Sequence, residues 1–119
     1  MKFVKKSNQM KSTGNNVWWD TSDIISHIAR NGTSLNQGLN IFEAEKIVKA
    51  CTKSKEEKKG YIDLEDSQHN LLLEDIKSAN YQKMGLSGAA IAEDIRSVMD
   101  APSEKPKDYE DDFVPVFPK

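Results

Sequence analysis

Few residues in this sequence have the type and spacing to do covalent or acid–base chemistry. Cys51 and His69 could form a thiol nucleophile with an imidazole base. Yet Cys51 recurs at helical spacing with Ile41, Ala44, Ile47 and Val48, where a thiol packs as a small apolar group. His69 stands among polar residues, just ahead of Leu71, Leu72 and Leu73. A metal needs several converging ligands. His27 and His69 are the two histidines, on separate elements, and there is no Cys-x-x-Cys, so no metal or other cofactor is implied. Gly85-Leu86-Ser87-Gly88 lacks the lysine and spacing of a phosphate-binding loop. Glu74-Asp75 and Glu93-Asp94 are neighbours in sequence, so on a helix they diverge and read as solvated faces. The chemistry points away from an enzyme and towards binding.

Two stretches carry binding chemistry. Lys2, Lys5, Lys6 and Lys11 occur with no acid before residue 17, and Trp18 and Trp19 follow. Lysines release counterions from a phosphate backbone and an indole can stack on a base, so Lys2, Lys5, Lys6, Lys11 and Trp18 are the candidate nucleic-acid contacts. A pI of about 5.7 and the lack of clustered arginines weigh against this reading. At the other end, Asp108-Tyr109-Glu110-Asp111-Asp112 runs into Phe113-Val114-Pro115-Val116-Phe117. Negative charge with spaced apolar residues suits docking into a basic-rimmed apolar groove, as an added strand or as polyproline II. Tyr109, Asp111, Asp112, Phe113, Val114, Val116 and Phe117 are therefore the candidate partner-binding residues. The alternatives are a solubilising tail or one folded back on its own domain.

The elements that must hold these stretches are helical. At 119 residues the chain suits one domain, and a mean hydropathy of -0.68 leaves room for tail or linker. A single cysteine excludes an internal disulfide and fits a reducing compartment. No secretory signal or membrane-length apolar run appears, so the expected location is cytoplasmic, with no membrane partner. Residues 61–100 carry eight acids against Lys77, Lys83 and Arg96, so charge is segregated along the chain.

Residues 2–6 and 17–19 read as short strands that can pair as an N-terminal β-hairpin, with 7–16 as its loop. A helix is predicted over about 21–30, capped by Asp20, Thr21 or Ser22 and stopped by Asn31-Gly32. A second runs from a capping box at Asn40-Ile41-Phe42-Glu43 to Lys58 or Lys59. The third follows an extended Tyr61-Ile62-Asp63-Leu64 and is capped by Asp63, Glu65 or Asp66. Its Leu71, Leu72, Leu73, Ile76 and Ala79 form a stripe wide enough for two neighbours. Ser87 caps the last, with Leu86 stapled on Ile91, a buried stripe of Ile91, Ile95, Val98 and Met99, and Glu93, Asp94 and Arg96 outside. Asp100-Ala101-Pro102 ends it. All four prolines lie beyond residue 101.

The expected fold is thus mainly α: a three- to four-helix domain over 20–101, a basic arm or hairpin over 1–19, and an extended acidic and aromatic tail over 102–119. The capped helix from Asn40 to Cys51, the extended Tyr61–Leu64, the leucine-rich helix and the last helix ending in Asp100-Ala101-Pro102 resemble a set of small proteins encoded by tailed phages. The likeness covers about 39–102. It implies an assembly factor or a protein that binds and inhibits host machinery, acting in the host cytoplasm. The partner would be a host or virion protein, or a second copy. The alternative is a nucleic-acid-associated regulator.

Overall fold

The computed structural model describes residues 1–12 and 17–118; residues 13–16 of the expected loop lie outside the described residues. The elements run β1 (Lys2–Lys5), β2 (Lys11–Ser12), β3 (Trp18–Trp19), α1 (Thr21–Asn31), α2 (Asn40–Glu56), β4 (Tyr61–Leu64), α3 (Asp66–Ser78) and α4 (Ala92–Met99). The described residues form a small domain of four helices and two short sheets, not a purely helical one. Ile24, Ile25, Ile28, Leu35, Ile47, Ile62, Leu64, Leu72, Val4 and Val98 are fully buried at its centre. These are the aliphatic residues whose removal from water drives collapse.

The expected pairing of 2–6 with 17–19 does not form. β1 pairs antiparallel with β4, Phe3 opposite Asp63, Val4 opposite Ile62 and Lys5 opposite Tyr61. β3 pairs instead with β2, Lys11 opposite Trp19 and Ser12 opposite Trp18. The reason lies in the alternation of β1. Val4 turns into the core beside Ile62, which leaves Phe3 and Lys5 on the outer face with Tyr61 and Asp63. The strand at 18–19 is too short to match the four residues of β1; β4 matches it residue for residue.

Several local signals resolve differently from expectation. Asp20 caps α1 in a full capping box with Asp23. Gly32 ends α1 in an extended rather than left-handed conformation. Its glycine is required by crowding, since a Cβ there would sit 2.1 Å from Asp75 Oδ2. Asn40 does not cap α2; it is the first helical residue and its side-chain amide donates to Ser34 O, while Leu39 holds the cap position. Ile41 is exposed, not part of the buried face. The left-handed residue after α2 is Lys58, with φ 54°, not Gly60. Glu65 caps α3, reciprocated by Gln68. Ser87 sits a full turn ahead of α4, whose cap position is Ile91, and Met99 is exposed.

Two acids read as solvated are buried. Asp75 accepts from Ser34 N at 2.7 Å and Leu35 N at 2.9 Å, fixing the loop after α1. Asp94 Oδ1 accepts from Thr21 Oγ1 at 2.5 Å and from Lys11 Nζ at 3.0 Å, and its Oδ2 lies 2.9 Å from the same ammonium. Both carboxylates serve as internal acceptors for groups that would otherwise be buried unpaired.

Candidate interaction site

The site is built on the outer face of the β1–β4 sheet. Antiparallel pairing puts Phe3, Lys5, Tyr61 and Asp63 on one surface, and the segment from Pro102 to Pro118 returns across it as a strap. Tyr109 is the anchor. Its ring meets Phe3 edge-on at 5.6 Å and stacks on Tyr61 at 5.8 Å between centroids. Its hydroxyl donates to Asp63 Oδ2 at 2.5 Å. Tyr61 answers in the other direction, donating to Asp108 Oδ1 at 2.6 Å. Sheet and strap thus exchange two phenol–carboxylate bonds. Lys5 Nζ lies 3.3 Å from Asp108 Oδ2, while Lys59 and Lys105 stand over the Tyr109 ring.

The titration of these groups reflects the same contacts. Burial, and then the Asp108 carboxylate, push the Tyr61 phenol up to about 12. Burial, then the bond to Asp63, also raises Tyr109. The Tyr61 bond, helped by Lys5, holds Asp108 below the usual carboxylate range. Both phenols therefore stay protonated donors across the physiological range.

Beyond Tyr109 the strap is held by backbone. Phe113 N donates to Lys58 O at 3.0 Å, Val116 N to Asn8 O at 2.6 Å, and Met10 N to Val116 O at 2.9 Å. Phe113 turns inward beneath Lys6, whose ammonium lies 4.2 Å from the ring centroid, 3.5 Å from Asp20 Oδ2 and 3.4 Å from Ser54 Oγ. Burial lowers the Lys6 pKa, and the nearby Asp20 opposes that shift. Phe117 packs edge-on against Trp18 at 5.4 Å. A cleft of about 430 Å³ opens between strap, β1 and α4, bordered by Lys5, Glu93, Ser97, Asp111 and Asp112.

The structure therefore divides the partner-binding candidates. Tyr109 is buried and Phe113 half-buried against the chain's own sheet, while Asp111, Asp112, Val114, Val116 and Phe117 remain exposed. It also places the nucleic-acid candidates. Lys2 Nζ donates to Ser103 Oγ at 2.8 Å, Lys5 pairs with Asp108, Lys6 with Asp20, and Lys11 with Asp94. Trp18 is half-buried against Phe117. Sequence reasoning missed Phe3, Tyr61, Asp63 and Lys59, which meet Tyr109 from the sheet side. Their signal was the polar–apolar alternation of Tyr61-Ile62-Asp63-Leu64, which marks a strand with two occupied faces.

Cys51 and His69 are engaged separately. The thiol is buried on α2 and pushed up to about 12 by that burial. His69 Nε2 lies 2.7 Å from Val98 O; a carbonyl only accepts, so that nitrogen carries the proton. Among the described residues no group of three His, Cys, Asp or Glu side chains is placed to hold a metal, and no helix is long and apolar enough to cross a membrane. No family model, curated protein or solved structure matches the chain.

Proposed function

We propose that this chain is a non-enzymatic protein–protein interaction protein, phage-encoded, acting as an assembly factor or an inhibitor of a host protein. The observation that carries the reading is the outer side of the strap. Val114 is 68% exposed and Phe117 52% exposed, with Val116 and Val17 also exposed, beside the solvent-facing carboxylates of Asp111 and Asp112. Apolar side chains in a cluster with a charged border are the composition of a docking face. Pro115 and Pro118 have no amide hydrogen to offer, so addition of a partner strand along this edge is disfavoured and docking is by side chains. The partner presents an apolar groove with basic residues at its rim, complementary to Asp111 and Asp112.

Nucleic-acid binding through the N-terminus is the weaker reading, because each of its lysines reaches an oxygen of this same chain. The test is co-purification from a bacterial lysate, followed by reconstitution of each captured protein in purified form. A protein held by the wild type should be lost with the double variant Val114→Asp, Phe117→Asp, while helical circular dichroism is unchanged. Retention of the same proteins by both forms would remove the strap face from the function. Binding to DNA or RNA that weakens steeply with salt and on loss of Lys5 would instead favour the other reading.

A further inference from the structure

The receptor and its ligand lie in one polypeptide. The groove made by Phe3, Lys5, Lys6, Lys59 and Tyr61 is basic-rimmed with an aromatic floor, and the segment from Asp108 to Phe113 that fills it is acidic and aromatic. The stretch from Ser103 to Lys107 connects them, exposed except at Pro106. We infer that the strap exchanges between two copies of this protein: Tyr109 and Phe113 of one copy fill the Phe3–Tyr61 groove of the other, and the reverse. The contacts of Tyr109 and Phe113 with the sheet would form unchanged in such a pair, with no new surface required, which is the condition for low-cost domain swapping. The two phenol–carboxylate bonds and the Lys6–Phe113 contact give the exchange its specificity. Its occupant is a second copy, because the one segment seen to fit the groove is the chain's own.

The balance between closed monomer and exchanged dimer is set by the connector. A short flexible connector gives a strap an effective concentration in the range of ~mM at its own groove. The wild type should therefore be monomeric at about 10 μM, with a dimer appearing as protein approaches ~1 mM. This inference stands apart from the docking face of Val114 and Phe117, since partner capture can fail while straps still exchange.

The decisive experiment uses the register between Gln9 and Val116, which form an isolated parallel bridge. Neighbouring strands lie about 4.8 Å apart, inside the Cα range that a disulfide spans. Full-length Gln9→Cys and full-length Val116→Cys are purified separately, mixed near 1 mM, incubated and oxidised, then run without reductant. Buried Cys51, with its thiol pushed up to about 12, does not compete. The expected result is a mixed disulfide dimer that forms in the mixture and is reduced at least several-fold when the Val116→Cys partner also carries Tyr109→Ala. The double variant Gln9→Cys, Val116→Cys closes within one chain and shows that the positions can bond. If the double variant closes while the mixture yields no Tyr109-dependent dimer, the exchange does not occur.

Discussion

Tyr109→Phe isolates what holds the strap. The variant keeps the ring against Phe3 and Tyr61 and removes only the hydroxyl that Asp63 Oδ2 accepts. Asp63 has no reserve, because its Oδ1 is already buried without a hydrogen-bond partner. A hydrogen bond to a charged group contributes about 1.5–3 kcal/mol. Asp63 is only half-buried, so water will reach it once the phenol is gone, and the lower end of that range applies. At 1.4 kcal/mol per factor of ten, the strap should open roughly tenfold more often. Amide hydrogen exchange reads this directly. The amides of Phe113 and Val116, bonded to Lys58 O and Asn8 O, report strap opening, while those of Ile47 and Cys51 inside α2 report the core. The expected outcome is a roughly tenfold acceleration at Phe113 and Val116 with little change at Ile47 and Cys51. No acceleration would mean that the Tyr109–Asp63 bond contributes nothing net. Equal acceleration at all four would mean that strap and core open as one unit, and the account of the strap as a separately docked segment would be wrong. A double-mutant cycle with Asp63→Asn separates the bond itself from the loss of the carboxylate.

Three other outcomes follow from the packing and the titrating groups. Leu72 is fully buried, so Leu72→Ala should lower stability by about 2–5 kcal/mol in a denaturant melt, and wild-type behaviour would misplace it. Gly32→Ala places a methyl against Asp75, which also holds Ser34 N and Leu35 N; a loss of roughly 1–3 kcal/mol is expected, and a neutral result would show that the loop relaxes freely. On pH, Asp108 is depressed in the folded protein, so its contribution is complete above its unfolded pKa and disappears as pH falls through the folded value. Tyr61 is raised to about 12, so its contribution is present below the unfolded value near 10 and disappears between there and about 12. Strap docking, followed by Trp18 fluorescence through its contact with Phe117, should therefore be flat across neutral pH and fail at both extremes. A transition near pH 7 would point to groups other than these.

The helices were legible because each carries its own periodic signal. Ile24, Ile25 and Ile28 mark one face of α1, and Leu72 and Ile76 mark the buried line of α3, all within a few residues of one another. Pairing partners were not legible, because they depend on contacts distant in sequence. β1 carries one inward residue, Val4, which alone does not choose between β3 and β4; the match in length to β4 decides only once the strand bounds are known. The same reason hides Asp75 and Asp94. An aspartate on a helix reads as solvent-facing until the loop at Ser34 or the Thr21 hydroxyl is brought against it. The strap shows the effect most fully. Its composition announced a docking segment with negative charge and spaced aromatic side chains. The matching groove was divided between residues 3–6 and 59–63, over forty positions away from the strap, so neither half looked like a receptor alone.

The segregation of charge along the chain finds its use in that division. The lysine-rich start meets the acidic end at Lys5–Asp108, and Lys6 of the same stretch lies over Phe113. Attraction of this kind acts over distance, but it does not fix the strap in place. Lys5 and Asp108 are largely exposed, and a pair of that sort contributes little, less in salt. The phenol–carboxylate bonds act at contact distance and are screened far less. Raising salt should then slow association of straps between copies while changing the exchange rate of the Phe113 and Val116 amides by no more than about fivefold. Amides that accelerate by two orders of magnitude in salt would mean that charge, rather than the Tyr61 and Tyr109 hydroxyls, keeps the strap in place.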